Sequence, residues 1–372
     1  MALALEGKVV LEEIAVPGFY EVVRATESKS GLDAIIALHD MRLCRAALGG
    51  TRIYPYRTFE EALTDATRLA RGMTHKSAAS LCGWGGGKSV IIANPAIGKT
   101  EALLMAFAEA VNLLGGEYIC AEDMGITPQD IAVIAKKTPY AVGIPHEKSS
   151  GNPSPFTTWG VFRGIQAVLN QLFGSDSVEG RTIAIQGLGS VGSRLADLLF
   201  WHGAKLIVTD INMTRAQEFA KQYNAKCVPP QEIYDQPCDV FAPCALGGIL
   251  NASTIERLRC RGIAGAANNQ LLHENDAEEL RRVGILYAPD FVINAGGLIS
   301  VTEEASKEGY HPDTARNKID AIYTQLKLIF GIAYQNGIST HKSVMQLVDY
   351  RLKYGIGKRV EPIYMHHAEM SY

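Results

Sequence analysis

The chain has 372 residues, 47% hydrophobic and 20% charged, with a formal net charge of −3. That length suggests roughly two or three domains, and the composition is that of a folded, water-soluble protein. No basic excess marks a nucleic-acid or acidic-membrane partner, no apolar run reaches the ~20 residues a bilayer requires, and Met1–Val10 carries no legible secretory leader, so a cytoplasmic location is expected.

The first zone, to about residue 145, opens with strand-like alternation over Ala34–His39 and a Gly-rich turn at Leu48–Thr51. Phe59–Met73 predicts a helix, with Leu63, Ala66, Leu69, Ala70 and Met73 on one face. A second glycine run, Gly85–Gly86–Gly87–Lys88, precedes a predicted strand at Ser89–Ile92. A helix over Glu101–Leu114 should stop at Gly115–Gly116. The polar Ser-, Gly- and Pro-rich stretch Glu147–Pro155 is the best linker candidate.

A helix over Thr157–Phe173 should follow. Then strands and helices alternate: Thr182–Ile185, a helix over Gly192–Trp201, Leu206–Thr209, Val240–Phe241, Ile263–Ala264 and Val292–Ile293. Such alternation predicts a parallel sheet covered on both faces. A long helix at about 312–336 should return the chain to the first domain.

Seven cysteines at irregular spacing and nine histidines without H-E-x-x-H spacing predict neither a disulfide framework nor a metal site. The cysteines read as small buried apolar residues.

Gly187–Leu188–Gly189–Ser190–Val191–Gly192 fits G-x-G-x-x-G between a strand and a helix, the context that dinucleotide binding requires. Gly187 allows a tight turn, Gly189 close approach to a pyrophosphate, and Gly192 close helix–strand packing. Asp210 ends the next strand, where a carboxylate bonds the adenine ribose and repels a 2′-phosphate, favouring NAD over NADP. The alternative is a Gly-rich turn without a ligand.

Lys76 ends the Phe59–Met73 helix pattern and Lys88 follows three glycines; both have small apolar neighbours. Two close cations in an apolar site divide naturally: one binds a substrate carboxylate, and the other, desolvated and repelled, becomes a neutral general base. Asp123 is a candidate second proton carrier. The competing reading is a pair of surface cations. A phosphate-binding P-loop at Gly87–Lys88–Ser89 is disfavoured, because position 82 is Cys and the segment opens a strand.

The chain resembles the amino-acid dehydrogenase superfamily of glutamate, leucine, phenylalanine and valine dehydrogenases, and is most similar to the leucine branch. The resemblance rests on Leu48–Gly49–Gly50–Thr51–Arg52, Gly72–Met73–Thr74–His75–Lys76, Gly85–Gly86–Gly87–Lys88, Ala121–Glu122–Asp123, Ser150–Pro155, Ala242–Ala245, Ala267–Asn268–Asn269 and Asn294–Ala295–Gly296–Gly297. It implies an α/β fold of two domains. One is an N-terminal α/β substrate and oligomerisation domain, 1–148 with a returning segment 334–372. The other, 149–333, is a Rossmann-type doubly wound NAD-binding domain, with the active site in the cleft between them.

The resemblance also implies roles. Lys76 and the Gly50 backbone bind the substrate carboxylate, Lys88 activates water, and Asp123 exchanges protons with the amino group. Asn268 and Asn294 line the substrate and nicotinamide site, and Thr157 contacts the nicotinamide carboxamide. Leu48, Ala121, Leu298 and Val301 form the side-chain pocket. The implied reaction is NAD-dependent oxidative deamination of an L-amino acid to the 2-oxo acid and ammonia. A closed homo-oligomer, from dimer to octamer, is implied too.

Glutamate dehydrogenases place a lysine at the position of Leu48 and a serine at that of Val301. Here a glutamate side chain would bury its carboxylate unpaired. Leucine, valine and isoleucine are the expected substrates, and phenylalanine the runner-up. An inactive NAD-binding sensor is the alternative outside catalysis, and the retained Lys76, Lys88 and Asp123 argue against it. Trp84 departs from the family pattern and reads as core packing rather than cleft lining. The tail, Arg351–Tyr372, including His366 and His367, reads as a frayed terminus.

Overall fold

The computed structural model describes residues 7–144 and 146–366. The chain divides into two compact units: 1–151, 301–312 and 351–372 form one, and 152–300 with 313–350 the other.

The first unit is built on a mixed sheet of β1 (Val10–Glu13), β2 (Glu21–Glu27), β3 (Leu32–Asp40), β4 (Ala47–Tyr54), β5 (Gly85–Ile92) and β6 (Tyr118–Glu122), in the order β1-β2-β3-β5-β4-β6. The first three strands and β5 pair antiparallel, whereas β4 lies parallel to both β5 and β6. The helix α1 runs Phe59–Ser80; Thr58 caps its start by accepting from the Glu61 N–H. Its buried face is Ala62, Ala66, Ala70, Thr74 and Ser77, a stripe of small side chains at four- and three-residue steps. Small residues let the helix lie close on Val22, Ile35, Ala37 and Val90 of the sheet. On the other face, α2 (Glu101–Leu113) and α3 (Pro128–Ala135) bury Phe107, Val111, Ile131 and Ile134 against Ile36, Leu38 and Ile53. Each such side chain contributes about 1.5–3 kcal/mol when fully buried.

The second unit holds β7 (Thr182–Gln186), β8 (Lys205–Thr209), β9 (Lys226–Cys227), β10 (Cys238–Pro243), β11 (Cys260–Ile263) and β12 (Leu286–Tyr287). All pair parallel, in the order β12-β11-β10-β7-β8-β9. This doubly wound order reverses direction between β7 and β10, where such sheets open a crevice for ligands. Its helices are α4 (Ser154–Phe173), α5 (Gly192–Trp201), α6 (Met213–Tyr223), α7 (Ala252–Ile255), α8 (Asp276–Arg282), α9 (Asp290–Ile293), α10 (Gly296–Glu303), α11 (Pro312–Asn336) and α12 (Thr340–Tyr354). The last residues of α10 and α12 belong to the first unit.

Several sequence expectations need correction. The helix expected to end at Met73 continues to Ser80, because the buried Thr74 and Ser77 extend its inner face without being apolar. Gly85–Gly87 do not precede a strand but form its first half. Val292–Ile293 are helical, in α9, and the edge strand is Leu286–Tyr287 instead; Val292 and Ile293 are both fully buried, so no alternation marks either state. The chain returns to the first unit twice, over 301–312 and again from Arg351, rather than once at 334, because α11 and most of α12 pack within the second unit.

The tail is tied down as far as His366. The Arg351 guanidinium donates to the carbonyls of Ala78 and Ala79 at the end of α1. Arg359 donates to Ala305 O, and His366 bonds Ser306 O and faces the Lys148 amine at 3.3 Å. His367 lies outside the described residues. All seven cysteines are free; three are buried and four half-buried. No described helix is long and apolar enough to cross a membrane, and no described group of His, Cys, Asp and Glu could hold a metal ion.

Candidate active site

Lys88 is the centre of the first unit's polar site. It sits on β5 with 6% of its surface exposed, and its Nζ lies 2.9 Å from Asp123 Oδ2. Burial pulls the amine below its usual value, against the upward pull of Asp123. Burial alone would raise the Asp123 carboxyl, but the charges of Lys88 and Arg52 outweigh it and hold the group below the usual carboxylate range. The result is a neutralisable amine beside a carboxylate that stays ionised.

The strands bring the other residues to this pair. Gly50, on β4, pairs with Ala121 on β6. A Cβ at Gly50 would stand 2.8 Å from Asp123 Cβ and 3.1 Å from Lys88 Nζ, so only glycine leaves its backbone open beside both groups. Leu48, two residues earlier on β4, is 3% exposed and lies opposite Gly86 and Ile119. It brings an apolar wall to the strand pair that carries the polar site.

Lys76 is half-buried on α1, in the helix rather than beyond it. The glycine run fixes how that helix sits. A Cβ at Gly86 would come within 2.3 Å of Thr74 N and 2.6 Å of Ala70 O. This contact holds α1, with Lys76, tightly against β5, with Lys88. Trp84 lies just before the run and is 2% exposed. Its backbone N–H donates to Ser77 Oγ, which donates in turn to the Trp84 carbonyl, and the Arg359 guanidinium lies over the ring at 5.2 Å. Trp84 is thus a packing residue that ties α1, β5 and the tail together.

The second unit carries the glycine loop at the point where the strand order reverses. Gly187 follows β7 with φ +96°, a region that favours glycine. Its N–H donates to Thr209 O at 2.8 Å. Gly192 opens α5 so close to the turn that a Cβ would stand 1.9 Å from Gly187 O. By contrast a Cβ at Gly189 would meet nothing within 4 Å, and Ser190 beside it is exposed while Val191 is half-buried. The loop therefore presents an open face at a helix N-terminus, a shape that fits a pyrophosphate. Asp210, after β8, is 7% exposed; its Oδ2 accepts the Leu188 N–H at 2.7 Å, which locks the loop to the acid.

Asn294 and Asn268 stand together farther along the same unit. Asn294 Nδ2 donates to Asn268 Oδ1 at 2.8 Å and to Ala266 O at 3.1 Å, while its buried Oδ1 has no partner. A buried acceptor left open in this way is costly unless a ligand donor meets it. Thr157, in the first turn of α4, is the neighbour of Gly297: a Cβ there would stand 2.8 Å from Thr157 Oγ1. Leu298 and Val301 are both half-buried on α10, three residues apart and so on one helix face.

Two residues of this site carried no assignment in the sequence reading. Arg52 and Asp65 lie in direct contact behind Asp123, thirteen positions apart. Arg52 stands in the Leu48–Arg52 motif, which was the available signal; nothing in the pattern of α1 distinguishes Asp65 from a solvated helix residue.

Comparison with known proteins agrees with this geometry. Residues 19–140 match the family model described as Glu/Leu/Phe/Val dehydrogenase, dimerisation domain, and residues 208–346 match Glutamate/Leucine/Phenylalanine/Valine dehydrogenase. The leucine dehydrogenase of Geobacillus stearothermophilus is 46% identical over 90% of this chain and 91% of its own. The phenylalanine dehydrogenase of Caldalkalibacillus thermarum is 42% identical over 90% and 91%. The crystal structure of L-tryptophan dehydrogenase from Nostoc punctiforme superposes with a TM-score of 0.81 at 43% identity, covering 91% of this chain and 96% of that one. The chain belongs to the glutamate/leucine/phenylalanine/valine dehydrogenase family, and its activity is that of an oxidoreductase acting on amino acids.

Proposed function

We propose that this protein is an NAD-dependent dehydrogenase of branched-chain L-amino acids, leucine, valine and isoleucine, converting them reversibly to 2-oxo acids and ammonia. The observation that carries this reading is the pair of buried Lys88 and half-buried Asp123 beside Gly50 and the apolar Leu48. In it the first unit is the substrate domain and the second binds the dinucleotide. The enzyme works in the cytoplasm as a homo-oligomer.

Lys76 holds the substrate carboxylate, with the Gly50 backbone. A nicotinamide dinucleotide held by the second unit would supply the hydride acceptor for the substrate α-carbon, whose oxidation gives the imine. Neutral Lys88 then takes a proton from water at Nζ, so that the water oxygen bonds the imine carbon. The proton taken up at Lys88 passes by way of Asp123 to the amino nitrogen, which leaves as ammonia while Lys88 takes the hydroxyl proton and the carbonyl forms. Gly187, Gly189, Ser190, Val191 and Gly192 hold the pyrophosphate, and Asp210 favours an unphosphorylated adenine ribose. Asn268, Asn294 and Thr157 orient the nicotinamide and substrate. Leu48, Ala121, Leu298 and Val301 receive the side chain, and none of them could pair with a distal carboxylate.

The test is reduction of NAD and NADP at 340 nm with a panel of L-amino acids at alkaline pH. Leucine, valine or isoleucine should lead, with NAD strongly preferred. An aromatic amino acid in the lead, as the names of two of the relatives suggest, would keep the chemistry and move the pocket. Glutamate in the lead, or no turnover at all, would overturn the reading.

A further inference from the structure

Behind the lysine–aspartate pair lies a second layer of charge that the reaction above does not use. Arg52 stands on β4, two residues beyond Gly50. Its Nε donates to Asp123 Oδ2 at 2.8 Å and its Nη1 donates to Asp65 Oδ2 at 2.8 Å. Asp65 lies on α1, the helix of Lys76, and also accepts from the Tyr56 hydroxyl at 2.6 Å and from Arg68 at 2.8 Å. The Arg52 and Asp65 side chains are only 17% and 18% exposed. One guanidinium thus braces a strand, a helix and the turn after β6.

At Asp123, Lys88 and Arg52 meet on the same oxygen, Oδ2. The two cations are unlike. Lys88 can lose its proton, whereas a guanidinium stays charged at any working pH. When Lys88 becomes neutral, a half-buried Asp123 with no other partner would hold a proton more readily. With Arg52 in place its negative charge keeps a counter-ion. The charged groups facing this centre are Lys88 from β5, Arg52 from β4 and Asp65 from α1, with Glu122 next to Asp123 on β6. Among these, Arg52 opposes a proton on Lys88, and Asp123 and Asp65 favour it.

We infer that Arg52, anchored by Asp65, is a positioning residue of the reaction: it fixes Asp123 by one oxygen and serves as its permanent counter-ion while Lys88 gives up and regains a proton. This rests on the dehydrogenase reading for its consequence in turnover, but not for its charge state.

The test uses the full chain with Arg52→Gln, Arg52→Lys and Asp65→Asn. Folding is followed by circular dichroism. The kinetics give kcat, KM and the pH profile of kcat/KM, and competitive acetylation of Lys88, read by peptide mass across pH, titrates the amine without turnover. Arg52→Gln should lose about 100-fold in kcat with little change in KM. Its acid limb in kcat/KM and its acetylation midpoint should both rise by about one pH unit. Arg52→Lys, which keeps the charge but not the two-pronged geometry, should restore much of the midpoint and little of kcat. Asp65→Asn should lose roughly 10-fold in kcat at unchanged KM. A folded Arg52→Gln with both midpoints unmoved overturns the inference. If that variant does not fold, an Asp65→Asn enzyme with wild-type kcat overturns it. A wild-type protein that acetylates at Lys88 but oxidises no amino acid refutes the dehydrogenase reading instead, and the midpoints still decide the role of Arg52.

Discussion

Gly86→Ala tests whether the glycine run sets the separation between α1 and β5. The added Cβ would stand 2.1 Å from Thr74 Oγ1, 2.3 Å from Thr74 N and 2.6 Å from Ala70 O. The hydroxyl can rotate away, but the other two are backbone atoms in mid-helix. Relief to ordinary contact needs the helix to retreat by about 1 Å, an overpacking that costs about 1–3 kcal/mol in well-packed cores. Two backbone clashes place the cost near 3 kcal/mol, which for a unit of this size lowers Tm by roughly 6–12 °C. The retreat also moves Lys76 relative to Lys88, and a misplacement of ~1 Å costs about 100-fold in rate. Thermal melting by circular dichroism and kcat/KM with the best amino acid measure the two effects. A variant that melts within about 2 °C of wild type and keeps half its kcat/KM would refute the claim that the glycine run positions the lysines.

Two further predictions address the pocket and acid stability. Leu48→Lys should give a buried distal carboxylate a partner, raising kcat/KM for glutamate relative to leucine by at least about 100-fold; an unchanged ratio would show that Leu48 does not face the substrate side chain. Arg281 and the Ser339 N–H hold the Glu278 carboxyl down at about 2 in the folded protein. A depressed acid stabilises above its unfolded value, here 4.5, and that stability is lost as pH falls toward 2. Glu278→Gln should therefore lower Tm slightly at pH 7, with the difference from wild type shrinking as the buffer is acidified below pH 4.5; a difference that grows on acidification would reverse the sign of this argument.

The legible parts of the molecule are those whose physics is local. Gly187 and Gly192 occupy a turn and a helix start in which neighbouring residues alone dictate glycine, and the helix over Pro312–Asn336 declares itself by a long 3.6-residue period. Gly85–Gly87 misled because glycine usually marks a loop. Here the glycines serve close approach of Thr74 and of the Tyr118 ring, contacts far away in sequence. Val292–Ile293 misled for the opposite reason: a fully buried dipeptide has no period to read. Lys88 and Asp123 were singled out one at a time, but their contact was not legible, since it joins β5 to the turn after β6. Arg52–Asp65 was not expected at all, because two opposite charges on a strand and a helix look, one at a time, like ordinary surface residues.

The discontinuity of the first unit has a consequence for synthesis. Residues 152–350 contain every segment of the second unit, whereas the first waits for 301–312 and finally for 351 onward. A growing chain thus completes its later-starting unit first. Until Arg351 emerges from the ribosome, the Ala78 and Ala79 carbonyls at the end of α1 lack the guanidinium that meets them in the finished protein. The helix bearing Lys76 is thus sealed by a residue translated 273 positions after Ala78, and the end of that helix has its finished contacts only once Arg351 has emerged.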